Sequence, residues 1–207
     1  MAAVGTEVVT KVVGYKLDTF NSNPVTGNLP QRIAIFGEAN TANQADLSTE
    51  PFQITSAQAA GAKYGYGSPI HLLARILFPS SGGGIGSLPV FVYPQAEASG
   101  ATSKIITIEP SGVATGNGTH TLVIAGRKGL EAVFYDINIV EGDAVDDITA
   151  KIEDAVNAVL GSPVDAAADA YQCDLETKWK GLTANGLTVT IETNGDALGL
   201  EYDITTS

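Results

Sequence analysis

Acid–base or nucleophilic catalysis needs a reactive side chain and a partner to orient it, and His71 and His120 are the only histidines available as bases near neutral pH. His71 falls early in an apolar helical run, which favours a packing or capping role, and His120, in a strand-like run after Gly118 and Thr119, reads as a surface strand residue. Gly65-Tyr66-Gly67-Ser68 has the outline of a nucleophile elbow. That motif needs its serine between two glycines, however, and Pro69 stands where freedom is required. Gly82-Gly83-Gly84-Ile85-Gly86 lacks the Lys-Ser/Thr of a phosphate-gripping loop and precedes a strand, so it reads as a surface loop.

Asp136, Glu141, Asp143, Asp146 and Asp147 gather around a helix start, where carboxylates complement the positive end of the helix dipole. Their spacing lacks the alternating oxygen donors and turn glycine of a calcium loop. Arg127-Lys128 reads as a solvated hairpin turn. Cys173 is the single cysteine, which excludes a disulfide within the chain and a multi-cysteine zinc site and suits a reducing cytoplasm. Cys173 and Trp179 read as core. No catalytic, cofactor-binding or metal-binding residue is assigned.

The elements that would position these side chains fall into two unlike halves. Of the 207 residues, 1–100 carry six acids and five bases, whereas 101–207 carry seventeen acids and six bases, so a net −1 half precedes a net −11 half. An overall charge of −12 disfavours nucleic-acid phosphates and anionic membrane as partners. No apolar stretch approaches the roughly 20 residues needed to span a bilayer, and the first 16 residues do not pattern as a signal peptide.

Residues 1–29 read as an extended arm. Arg32-Ile33-Ala34-Ile35-Phe36-Gly37 predicts a core strand covered on both faces. Ser56 caps a short helix over 57–65, and Ser68 followed by Pro69 opens a second that Pro79 stops. Leu88-Pro89-Val90-Phe91-Val92-Tyr93 predicts a further strand, which completes a β-α-α-β unit with parallel strands. Small residues at 96–101 mark a linker. Beyond it, 104–108, 119–124 and 130–135 read as antiparallel strands and 145–160 as an amphipathic helix with Ile148, Ile152 and Val156 on its apolar face. Further strands are expected within 163–171, 174–179, 187–191 and 200–204. The fold class is thus mixed α/β and α+β, an incomplete β-α-α-β inner domain with a β-rich domain containing one long helix.

Four segments in fixed order and spacing carry a family likeness: Leu29-Pro-Gln-Arg-Ile-Ala-Ile-Phe-Gly37, Ile54-Thr-Ser-Ala-Gln-Ala-Ala60, Tyr64-Gly-Tyr-Gly-Ser68-Pro-Ile-His-Leu-Leu73 and Leu88-Pro-Val-Phe-Val-Tyr93. Together they resemble the tail sheath protein of contractile-tailed bacteriophages of the Mu-like type, with Gly37, Ser56, Gly65, Gly67 and Ser68 as structural motif positions. The second half resembles the outward-projecting domain of the same sheaths, through Gly118-Thr119, Leu122, Ile124-Ala-Gly-Arg127, the 148–160 helix and Lys180-Gly181. The resemblance implies an arm at 1–29, the first part of an inner domain at 30–97, an inserted domain at 98–195 and a return segment at 196–207.

It also implies a non-enzymatic subunit that polymerises around a tail tube, meets baseplate and tail terminator proteins, and contracts to drive the tube through the host envelope. Such a subunit is assembled in the host cytoplasm, resides in the virion tail and needs no cofactor. Sheath proteins of the family are longer, and their further part completes the inner domain and supplies the tube-facing helix and C-terminal arm. Tube contacts are therefore expected outside these residues. A tailocin or other bacterial contractile injection machine is the neighbouring alternative; a small-ligand or carbohydrate-binding module is the alternative of another class.

Overall fold

The computed structural model describes residues 31–48, 50–82, 84–86, 88–126 and 132–207. The predicted arm at 1–29 and the Arg127-Lys128 pair lie outside them. Among the described residues, ten strands in three sheets and three α-helices make a mixed α/β fold with two hydrophobic cores, one in each of two modules.

In the first module, β1 (Ile33–Glu38), β2 (Phe52–Ile54) and β3 (Val90–Gln95) form a sheet of order β1-β3-β2, with β1 parallel and β2 antiparallel to β3. The parallel pair is the expected one, and β2 is an addition too short to leave a periodic signal. Between the parallel strands lie α1 (Ala57–Tyr64) and α2 (Pro69–Leu77). Ser56 Oγ accepts the Ala59 N–H and Ser68 Oγ accepts the His71 N–H, so each helix begins where a side-chain oxygen satisfies an otherwise orphan donor. Ile35, Val90 and Val92 meet Ala60, Tyr64, Ile70 and Ala74 in the core, and the tight fit at Gly37 would place a Cβ 3.3 Å from Ile70 Cγ1. Among the described residues, α1 and α2 pack on this one face of the sheet. The expectation of a strand buried on both faces is corrected: Phe36 points outward and is 64% exposed.

The second module contains β4 (Ser103–Gly112), β5 (Gly118–Ala125), β6 (Val133–Ile139), α3 (Val145–Asn157), β7 (Val164–Ala168), β8 (Cys173–Lys180), β9 (Thr188–Glu192) and β10 (Leu200–Thr206). One antiparallel sheet has the order β10-β4-β8-β7 and another β9-β5-β6. The three strands expected after the linker therefore divide between sheets, with β4 apart from β5 and β6. Alternation decides which side chains face inward: Leu122 and Ile124, Tyr135, Ile137 and Ile139, and Leu175 and Trp179 share one core with Ile148, Ile152 and Val156 of α3. The β6 strand runs to Ile139, so Asp136 is a strand residue whose carboxylate accepts from Thr121 Oγ1 rather than one at the helix start.

β10 is paired along its whole length with β4, from Leu200 opposite Gly112 to Thr206 opposite Ile106. The return segment expected at 196–207 thus contains an edge strand of the second module, Leu200–Thr206. Ser207 exchanges backbone hydrogen bonds with Ile105 in both directions. A fragment comprising 102–207 is expected to unfold cooperatively in urea, whereas 102–195, which strips β10 from β4 and removes buried Leu200, should be less stable by about 3 kcal/mol or more. Equal stability of the two fragments would contradict the assigned module boundary.

Candidate functional site

Chemistry that the sequence left open is settled by where the histidines sit. His120 lies on the inner face of β5, is 0% exposed and has both ring nitrogens engaged, which corrects the expectation of a surface residue. Its Nε2 lies 3.0 Å from the Asp196 carbonyl oxygen, an acceptor only, so Nε2 carries the proton and Nδ1 accepts from Tyr202 Oη at 2.7 Å. Burial pushes the Tyr202 phenol up to about 12, which keeps it a neutral donor. This pair ties β5 to β10 across the two sheets.

His71 is buried at the turn between α1 and α2. Its Nδ1 accepts the Gly67 N–H at 3.0 Å, and its ring meets Tyr66 edge-on with centroids 5.2 Å apart. Burial first, then the charges of Arg75 and Lys178, pull its pKa down to about 4. It is a neutral acceptor that holds the turn. Gly67, at φ +86°, presses this turn against the backbone after α3, so that any Cβ there would overlap the Ser162 carbonyl. Ser162 Oγ accepts from Tyr135 Oη at 2.9 Å and donates to the Val164 carbonyl at 2.8 Å. Its hydroxyl is therefore occupied.

Two carboxylates of the first module complete the junction. Glu97 Oε1 accepts from Thr41 Oγ1 at 2.6 Å and from the Lys180 N–H at 3.1 Å, and Glu38 Oε1 accepts from Thr183 Oγ1 at 2.6 Å. Trp179 Nε1 in turn donates to Thr183 Oγ1 at 3.0 Å. A cleft of about 650 Å³ opens beside this junction, lined among others by Asn40, Tyr66, Asp165, Glu176 and Lys178. Lys178 is paired with Asp165 at 3.4 Å, and Glu176 with Ser103 Oγ. The sequence offered no sign of Glu38, Glu97, Asn40 or Ser162, because each acquires its partner from a distant part of the chain.

The other singled-out residues stay apart. Cys173 is fully buried, and its thiol is pushed up to about 12 by burial and by nearby Glu153 and Asp174, so it is unreactive. Asp143 pairs with Lys151 Nζ and accepts the Val140 N–H at 2.7 Å; these contacts outweigh partial burial and hold its carboxyl below the usual range. Asp147 reaches back to the Ala144 N–H at the start of α3. Among the described residues no group of His, Cys, Asp and Glu is arranged to hold a metal ion, and no helix is long and apolar enough to cross a membrane. Of the glycine and serine motif positions, Ser68 and Gly67 converge on His71, Gly65 (φ +94°) packs against Asn40, and Gly37 and Ser56 lie elsewhere in the first module.

Fold and junction define a two-module mixed α/β protein whose polar groups mostly satisfy one another. No model of a known protein family matches the sequence, and no curated protein matches it significantly.

Two outcomes test this account of the junction. Gly67→Ala should destabilise the protein by about 3 kcal/mol or more, because it combines a left-handed backbone with overlap at Ser162, whereas Gly142→Ala (φ +95°, open space) should cost about 1 kcal/mol. Urea denaturation of the two variants decides between them. His71, depressed to about 4 from 6.5, contributes stability that is complete above pH 6.5 and is lost as pH falls toward 4. Stability should drop by roughly 2 kcal/mol between pH 7 and pH 4.5, and the drop should shrink in His71→Gln. Asp143, depressed from 3.8, loses its contribution only at still lower pH and stays outside that window.

Proposed function

We propose that the protein is a structural subunit of a contractile tail sheath, in which the first module belongs to the helical lattice and the second projects outward from it. The observation that carries this reading is the path of the chain. β10 returns antiparallel along β4, with Thr206 opposite Ile106 near where the chain enters the second module, and such a doubled-back path suits a domain inserted into another. The resemblance of 29–93 to sheath proteins supplies the rest, and the charge distribution is in keeping with it: a net −11 half suits an exterior surface where like charge opposes unwanted association.

Mechanically, such a subunit converts a metastable packing into a more stable one and needs no hydrolysis. Its partners are further copies of itself, the tail tube protein, and baseplate and terminator proteins. Its place is the virion tail. A tailocin or related injection machine uses the same subunit chemistry.

A second reading rests on the junction cleft. The buried Asn40 Oδ1 lacks a hydrogen-bond partner, and Tyr66 beside it offers a ring, a pairing suited to a small polar ligand such as a saccharide. Saturable binding on a glycan array, abolished by Tyr66→Ala, would favour that reading over the sheath.

The sheath reading is tested by immuno-electron microscopy of tail-like particles from the source culture, using antibodies raised against 102–207. Label is expected in regular rows along the outside of a tubular tail. Label confined to non-tubular material, or none on any particle, overturns it.

A further inference from the structure

The cleft at the junction is walled by both modules, and each contributes a hydrogen-bonding group that the protein leaves unfilled. From the first module comes Asn40, 9% exposed. Its Nδ2 donates to the Tyr66 carbonyl at 2.9 Å, which fixes the orientation of the amide and leaves Oδ1 as a buried acceptor without a donor. Few buried acceptors stay open in a folded protein, and a donor arriving in the cleft would fill this one. From the second module comes Lys180, whose ammonium has no hydrogen-bond or ion-pair partner among the described residues. Glu97 holds the two sides together, because the same Oε1 accepts from Thr41 Oγ1, next to Asn40, and from the Lys180 N–H.

We infer that the cleft takes a neutral, hydroxyl-rich saccharide that bridges the modules, donating to Asn40 Oδ1 and accepting from Lys180 Nζ. The inference rests on the second reading above, and it adds the charge class of the ligand and the bridge. Charge selects the class. The charged side chains lining the cleft among the described residues are Asp165, Glu176, Lys178 and Lys180, two of each sign, with Lys178 paired to Asp165 and Glu176 accepting from Ser103. An anion drawn to Lys180 would approach Glu97 and share the cleft with Asp165 and Glu176. A cation drawn to Asn40 Oδ1 would share it with Lys178 and Lys180. A hydroxyl is neutral and both donates and accepts, so neighbouring hydroxyls of one ring answer both open groups without adding charge. Tyr66 and Leu160 give the cleft apolar wall for the C–H face of such a ring, and about 650 Å³ falls within the roughly 300–1,000 Å³ of small-ligand sites. Because the open groups belong to different modules, a ligand held by both stabilises their contact by mass action.

A glycan array carrying neutral, uronate-bearing and free-amine glycans, probed with the full 207-residue chain, tests this, followed by calorimetric titration of the neutral saccharide bound best. Neutral glycans are expected to bind saturably and at least about tenfold more tightly than their uronate or amine counterparts. Asn40→Leu and Lys180→Met should each weaken binding at least about tenfold, while Tyr171→Ala, at an exposed position away from the cleft, should leave it unchanged. Saturating saccharide should raise the urea midpoint of the wild-type chain and leave that of Lys180→Met where it was. Circular dichroism establishes that each variant is folded, and if Asn40→Leu is not, Lys180→Met decides alone.

Absence of binding to every class of glycan overturns the second reading and this inference with it. Uronate or amine glycans bound as tightly as neutral ones refute the inference and leave the cleft reading standing. Undiminished binding by folded Lys180→Met, or an unmoved urea midpoint in the wild-type chain, refutes the bridge in the same way.

Discussion

β4 and β10 lie side by side in opposite directions, and this single pairing frames the second module. The strand that enters the module is also the partner of its last described strand, so the elements between them fold within one paired frame. The two sheets, α3 and their shared core need only be consistent with one another. The first module joins the second through the chain that enters β4, and a few further contacts hold the two together. Those contacts are the Gly67 turn against Ser162, and the carboxylates of Glu38 and Glu97 against donors from Thr183 and Lys180.

Much of the local structure was legible because it is fixed by neighbours in sequence. Ser56 and Ser68 announce their helices through capping, Pro69 pre-sets the first turn of α2, and the spacing of Ile148, Ile152 and Val156 defines α3. The parallel pairing of β1 and β3 follows from the helices between them. What could not be read is what depends on distant partners. Nothing in Gly118-Thr119-His120 says that Tyr202 and the Asp196 carbonyl will enclose the imidazole. Nothing in Ile35-Phe36 says that Ile35 is buried while Phe36 points outward, since an unbroken apolar run is compatible with one covered face or two. The glycines at 65 and 67 were legible as a turn, but the reason a side chain is forbidden at 67 resides at residue 162.

The division of labour between the halves is electrostatic as well as topological. The junction is made with carboxylates that accept from hydroxyl and amide hydrogens, so it draws little on the six bases of the second half. Among the described residues, the ion pair of Asp143 with Lys151 braces the start of α3 within the second module. Salt should therefore act mainly on how whole molecules approach one another and little on how the modules hold together.

The hydrogen-bond chain from Trp179 through Thr183 to Glu38 has a further consequence. Trp179 is the sole tryptophan, its indole ring belongs to the core of one module, and its N–H is the first link of a relay into the other. Its emission is thus a built-in gauge of the contact between the modules. A red shift of the fluorescence without loss of far-ultraviolet ellipticity would mark the modules parting while both stay folded, so that relative motion of the two halves can be followed optically without an added label.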